Sequence, residues 1–316
     1  MIIHLVAVLV GLVLLVWSAD RFVVGACVTA ERLGVPVLVI GMLLMGFGTS
    51  APEMLVSLQA SLDGNPGLAV GNVIGSNITN IALVLGLTAL LSPIAVASGL
   101  IRRELPLLLG ITVIAVLLLL NLQLVVWKGV VLLFLLVAFI TYSYWLTRQG
   151  KSDALLDEVN DVLQPMSKGK ALMWMLVGLV LLVVSARLLV WGAVELAVAL
   201  GISDMVIGLT LVAIGTSLPE LAASIAAARR NQADLVIGNV IGSNIFNLLA
   251  VLPIPLLLSS GGLDQALLLR DLPVMMGLTL VLLAVSLGIK KQGRINRYEG
   301  AALLLCFAGY QWWLFG

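Results

Sequence analysis

Two glutamates, Glu53 and Glu220, stand inside strongly apolar stretches, each closing a hexapeptide of the same form: GTSAPE at 48–53 and GTSLPE at 215–220. Proline lacks an amide proton and clashes with the turn before it, while glycine loosens the backbone, so a helix carrying this motif kinks or unwinds and frees carbonyl oxygens. Thr49 and Ser50, with Thr216 and Ser217, add neutral hydroxyl oxygens beside the charged ones of the glutamates. A second motif, GNVIGSNI, occurs unchanged at 71–78 and 238–245, and its small residues permit close helix approach. Ser76 and Asn80 are four residues apart, as are Ser243 and Asn247, so each pair shares a helix face that can point at the carboxylates. The set is one of hard oxygen donors with no thiol or imidazole. Such a set suits Ca2+, which takes about six to eight oxygens, or Na+, rather than zinc or copper. Asn72, Asn77, Asn239 and Asn244 fall elsewhere on their helices and read as packing and capping residues.

Both motifs recur at one offset, 220 − 53 = 167 and 238 − 71 = 167, and the register persists to Arg103, Glu104 and Pro106, which pair with Arg270, Asp271 and Pro273. The chain is therefore an internal duplication. Its 316 residues are 61% hydrophobic and 10% charged, with mean hydropathy +1.18, far outside the range of a soluble domain. Continuous Leu, Val, Ile and Ala runs long enough for a ~30 Å hydrocarbon core indicate helices rather than the short alternating strands of a membrane barrel. The N-terminal MIIHLVAVLV has no basic leader and no clear cleavage site, and is expected to be a retained first span.

About ten spans are expected, near 3–30, 36–61, 67–92, 105–121, 124–147, 170–199, 204–228, 234–258, 267–289 and 298–315. The fold class is thus an all-α integral membrane protein. A first five-helix repeat covers 1–147, a polar cytoplasmic linker 148–169, and a second repeat 170–316. Five is odd, so the second repeat enters the membrane inverted. Arg32, Arg102, Arg103, Arg148, Lys151, Lys168, Lys170, Arg229, Arg230, Lys290, Lys291, Arg294 and Arg297 then share one side, while Lys128 and Arg270 lie on the other. The rule that basic loops stay in the cytoplasm makes the first side cytoplasmic and puts both termini outside, in the plasma membrane of a prokaryote. Inverted halves can form near-equivalent outward-open and inward-open states around one central site, which is the architecture of a secondary transporter.

A single intramembrane carboxylate can be structural, but one that recurs in the same motif of inverted copies points to function, because intramembrane charge is costly. Asp20, Arg21, Arg187 and Glu195 read as paired or snorkelling residues. The linker acids Asp153, Asp157, Glu158 and Asp161 read as a solvated face. Trp312, Trp313 and Phe315 suit an interfacial anchor. Cys27 and Cys306 lack the spacing of a disulfide or metal site and read as packing residues. His4, the sole histidine, is too close to the N-terminal edge for a central proton relay. With no HExxH and no Ser-His pair the chain is not expected to be an enzyme. A passive channel fits inverted halves around a closed, doubly charged site less well than a transporter does.

The doubled GTSxPE and GNVIGSNI signature resembles the alpha-repeats of the calcium/cation antiporter superfamily, specifically prokaryotic sodium/calcium exchangers, over nearly the whole chain. The resemblance implies a ten-helix fold that exchanges Na+ for Ca2+ as the first and sixth helices slide. It implies that Glu53 and Glu220 ligate Ca2+ and that Thr49, Ser50, Ser76, Thr216, Ser217 and Ser243 help bind Na+, with backbone carbonyls near Gly46 and Ala213. Some relatives carry Asp where this chain has Asn80 and Asn247. Two carboxylates balance one Ca2+ and fall one charge short of three Na+, so a three-for-one exchange would be electrogenic. The alternative is a proton- or potassium-coupled divalent cation antiporter of the same fold. No cofactor and no nucleic-acid partner are expected; the partners are membrane lipid and the transported Ca2+ and Na+.

Overall fold

A computed structural model of the chain describes residues 2–33, 40–96, 101–148, 166–200, 213–287 and 293–315. It is built almost wholly of helices, and six described helices are long and apolar enough to cross a membrane: Ile2–Ala30, Pro66–Leu91, Val126–Trp145, Lys168–Leu196, Ala233–Leu258 and Leu267–Ser286. The other expected spans fall short for local reasons. Those at the GTSxPE motifs are interrupted by the motif among the described residues, and 34–39 and 201–212, where they begin, lie outside the described residues. Helix Ile101–Leu119 opens on Arg102, Arg103 and Glu104, and Arg297–Phe315 carries Tyr, Gln and two Trp.

In chain order the elements are α1 (Ile2–Leu33), a π-helical turn (Gly41–Met45) leading into α2 (Gly46–Thr49), α3 (Ala51–Leu62), α4 (Pro66–Thr79), a second π segment (Asn80–Leu85), α5 (Gly86–Leu91) and β1 (Ile94–Val96). There follow α6 (Ile101–Leu119), β2 (Gln123–Leu124), α7 (Val126–Arg148), α8 (Lys168–Ala199), α9 (Ala213–Thr216), α10 (Leu218–Arg229), α11 (Ala233–Phe246), a π segment (Asn247–Val251) and α12 (Pro253–Leu258). The last are β3 (Gly261–Gly262), a π turn (Leu267–Asp271) continuing as α13 (Leu272–Leu287), β4 (Gly293–Ile295) and α14 (Arg297–Phe315). The 167-residue offset maps α2, α3, α4 and α5 onto α9, α10, α11 and α12 end for end, so the duplicated sequence gives a duplicated backbone.

The motif breaks come from local chemistry. Ser50 closes α2 with φ −78° and ψ 6°, and α3 starts at once with Pro52 in its first turn, where a missing amide proton costs nothing. Ser217 does the same between α9 and α10, with φ −90° and ψ 7°. Two small antiparallel pairs tie the halves together: β1 to β4, with Ile94 opposite Ile295, and β2 to β3, with Gln123 opposite Gly262. The core is centred on α4 and α11, whose apolar residues Val73, Ile74, Ile78, Val240, Ile241 and Ile245 are buried.

α1 and α8 pack along each other over most of their length, join that core through Phe22, Val23, Ala26, Cys27, Ala30 and Met175, and leave many large apolar side chains outward. His4 packs edge-on against Trp191 within this pair. Trp312 and Trp313 are exposed, as an interfacial anchor requires. Cys27 is buried as a packing residue should be, but Cys306 is exposed, because its helix turns that face outward. The linker acids at 153, 157, 158 and 161 lie outside the described residues.

Candidate functional site

The breaks at Ser50 and Ser217 deliver Glu53 and Glu220 to the first turns of α3 and α10, where they are 0% and 1% exposed. The two carboxylates are near enough for their charges to act on each other. Hydroxyls cross from one half to the other: Ser50 Oγ donates to Glu220 Oε1 at 3.5 Å, while Thr216 lies on the Glu53 side. Thr49 Oγ1 bonds back to the Met45 carbonyl at 2.8 Å and lies 3.4 Å from Ser243 Oγ and 3.5 Å from Asn239 Oδ1. Thr49, Ser50, Glu220 and Ser243 thus form one connected cluster.

Among the described residues, both Glu53 oxygens, Glu220 Oε2, Ser217 Oγ, Asn80 Oδ1 and both side-chain polar atoms of Asn247 are buried without a hydrogen-bond partner. Buried polar atoms cost free energy unless something satisfies them, and a buried carboxylate costs most. The expected site residues among them are Glu53, Glu220, Ser217, Asn80 and Asn247; Glu104 of α6 also buries both carboxylate oxygens without a partner. Ser76 is also buried, on the same face as Asn80, and both Asn80 and Asn247 begin a π segment, a distortion frequent at functional sites.

The asparagines read as packing residues do more than pack. Asn72 Nδ2 donates to the Glu53 carbonyl at 3.1 Å and to Ser57 Oγ at 2.9 Å. Asn239 Nδ2 donates to the Glu220 carbonyl at 3.1 Å and to Ser224 Oγ at 2.9 Å. Each α4-type helix therefore grips the backbone that carries a site glutamate. Asn77 Nδ2 donates to the Asn244 carbonyl at 3.4 Å and Asn80 Nδ2 to Asn244 Oδ1 at 3.2 Å, stitching α4 to α11. The available signal was Ser57 and its mate Ser224, each four residues after its glutamate and so on the same face.

A family model described as sodium/calcium exchanger protein matches residues 3–145 and 170–316, sparing only residues 1–2 and 146–169. The chain belongs to the sodium/calcium exchanger family. It is similar to the putative antiporter CaxA of Alkalimonas amylolytica, 49% identical over 100% of this chain and 99% of that one. It is also similar to the sodium/calcium exchanger MaX1 of Methanosarcina acetivorans, 30% identical over 98% and 97% of the two chains. Among solved structures, the sodium-calcium exchanger NCX_Mj soaked with 10 mM Na+ and 10 mM Sr2+ superposes with a TM-score of 0.83 at 36% identity, over 97% of each chain. Like other members of the exchanger family, the protein is a membrane cation antiporter and not an enzyme.

Proposed function

We propose that this antiporter exchanges Na+ for Ca2+ by alternating access, with the ions as substrates held by Glu53, Glu220, Thr49, Ser50, Thr216, Ser217, Ser76, Asn80, Ser243 and Asn247. The observation that carries the reading is the pair of fully buried glutamates, three of whose four carboxylate oxygens have no hydrogen-bond partner among the described residues, with Ser50 of one repeat reaching Glu220 of the other. A divalent cation neutralises both carboxylates at once and uses the neutral oxygens to replace its water. Na+ ions are drawn by the same two charges. Their competition for one site couples the two fluxes, since the site changes sides only with its charge satisfied.

The architecture that goes with this reading is ten spans in two inverted repeats, 1–147 and 170–316, joined by a cytoplasmic linker at 148–169. The strand pairs support it. β1 follows the third span and β4 the ninth, while β2 follows the fourth and β3 the eighth. If every span crosses, loops of equal parity share a side of the membrane, as both pairings require, and an odd number of spans per repeat then inverts the second. Both termini outside, in a prokaryotic plasma membrane, follows from the basic loops. A similar chain, 42% identical over 86% of this one, is the inner membrane protein YrbG of Escherichia coli K12.

Proteoliposomes loaded with Na+, K+ or no alkali cation, at matched and at opposed pH, test the coupling. Uptake of 45Ca2+ is expected only with internal Na+. Uptake driven equally by internal K+ or by a proton gradient would replace Na+ as the coupling ion.

A further inference from the structure

The 167-residue offset extends into the first helix: Ser18, Ala19 and Asp20 of α1 answer to Ser185, Ala186 and Arg187 of α8. It also equates the turns after α3 and α10. Asp63 and Arg230 are the terminal cap residues of those helices, and the next residues, Gly64 and Asn231, both adopt positive φ, 73° and 57°. Arg230 of the second repeat is joined to Asp20 of the first through Nε at 2.8 Å and Nη2 at 2.5 Å, binding α10 to α1. The residues in the mirror positions are Asp63 and Arg187. They are also of opposite charge, with the signs exchanged. Duplicate copies begin identical, so each of the two positions has changed sign in one copy, and both cross-repeat pairs are now complementary.

The mirror pair is not formed in this structure. Arg187 is exposed, and Asp63 accepts instead from Gln59 Nε2 at 2.9 Å. The reason lies in how α1 and α8 sit. Their mutual crossing obeys the repeat: a Cβ on Gly11 would lie 2.8 Å from the backbone of Leu189, and one on Gly178 would lie 2.8 Å from the backbone of Phe22, the mate of Leu189. Likewise Gly25 presses on the Ala171 carbonyl and Gly192 on that of His4, again mates. The two helices form one symmetric unit, but its seat on the rest of the molecule is not symmetric. Leu15 and Ala19 of α1, with their mates Leu182 and Ala186 of α8, form a cluster against which Leu218, Ala222 and Ala226 of α10 pack; α1 makes most of the contact with α10, and among the described residues α8 has no comparable packing on α3.

We infer that Asp20–Arg230 and Asp63–Arg187 are alternating ionic latches, one closed in each of the two oppositely facing states. The inference rests on the alternating-access reading above and names the residues that position its end states. In the orientation set by the basic loops, Asp20–Arg230 lies toward the cytoplasm and Asp63–Arg187 toward the outside, so the structure is latched inside. When the α1–α8 unit moves to the mirror-related seat, Asp20 leaves Arg230 and Arg187 reaches Asp63. The site is offered to the other side.

Paired cysteines read this out without requiring transport. In a Cys27→Ala, Cys306→Ser background, Asp20→Cys with Arg230→Cys is expected to be joined by a reducible bifunctional thiol reagent long enough to span an Asp–Arg pair in one state, and Asp63→Cys with Arg187→Cys in the other. Each link should arrest exchange, with reductant restoring it, and changing the ions on the two sides should raise one link as it lowers the other. Adding Asp20→Asn to the Asp63→Cys, Arg187→Cys protein should speed its cross-linking about two- to fivefold, the amount that a partly exposed ion pair is worth. Absence of the 63–187 link under every ion condition while the 20–230 link forms would overturn the proposal, as would a 63–187 link that leaves exchange intact. Reciprocal links in a protein whose Ca2+ uptake ignores Na+ would support the latches and reject only the coupling ion.

Discussion

The octapeptide GNVIGSNI occurs twice in identical form and sits in two different environments. In α11, Gly238, Asn239 and Gly242 are buried; in α4, Gly71 is exposed and Asn72 and Gly75 are only partly buried. A Cβ at Gly242 would lie 2.4 Å from the Met42 carbonyl, whereas nothing among the described residues lies within 4 Å of one at Gly75. Yet the bonds made by the motif asparagines agree, 3.1 Å to the glutamate carbonyl and 2.9 Å to the serine in both copies. Identical residues grip the two glutamate backbones in the same way, and what differs is how closely the surroundings cover each copy. Under the proposed alternating access, one conformation of such a protein has to look like this, since symmetric cover on both sides would either seal the site or open it throughout.

The comparison breaks at the site first. If the halves contribute equally, Glu53→Gln and Glu220→Gln should each abolish Na+-dependent 45Ca2+ uptake, although the glutamates lie in unequally covered halves. Survival of uptake in either variant would mean that one copy carries the function.

The glycines sharpen it next. Gly242→Ala sets a methyl group against fixed backbone, and overpacking of that kind costs about 1–3 kcal/mol, read as a lowered unfolding midpoint in detergent. Gly75→Ala should leave that midpoint unchanged and still slow exchange, because its methyl group is met only when the mirror-related seat is taken. Equal stability losses in the two variants would remove the asymmetry.

The asparagines give the smallest effect. Asn239→Ala strands a buried carbonyl and hydroxyl and should cost about 1–3 kcal/mol, weakening Ca2+ binding as the Glu220 backbone loosens. Asn72→Ala should cost less, because water reaches a partly exposed position. A larger loss at Asn72, measured by the same unfolding and binding titrations, would reverse the assignment of the covered side.

Much of this was legible in the residues. The break at GTSxPE, the helical character of the chain and the burial of Glu53 and Glu220 follow from proline chemistry, hydropathy and repetition. Other features were hidden because they depend on contacts between halves. β1 and β4 are loop segments about two hundred residues apart in sequence, and no local propensity announces their pairing. Asp20 was readable as a paired residue, but the neighbouring Arg21 was as plausible a partner as Arg230. Arg21 instead lies over the rings of Trp17 and Trp174, at 5.8 and 5.5 Å. Asn72 and Asn239 were missed because a helix-face argument asks which side chains reach the carboxylates, and these two act on the backbone behind them.

The central claim is that the two halves share one site. Equilibrium binding of 45Ca2+ to the purified protein, over a range of Na+ concentrations, tests it most directly. The account predicts one Ca2+ per chain, displaced by Na+, with binding lost in both Glu53→Gln and Glu220→Gln. Two Ca2+ per chain, or half the binding remaining in either variant, would show that each glutamate serves a separate site and would contradict it.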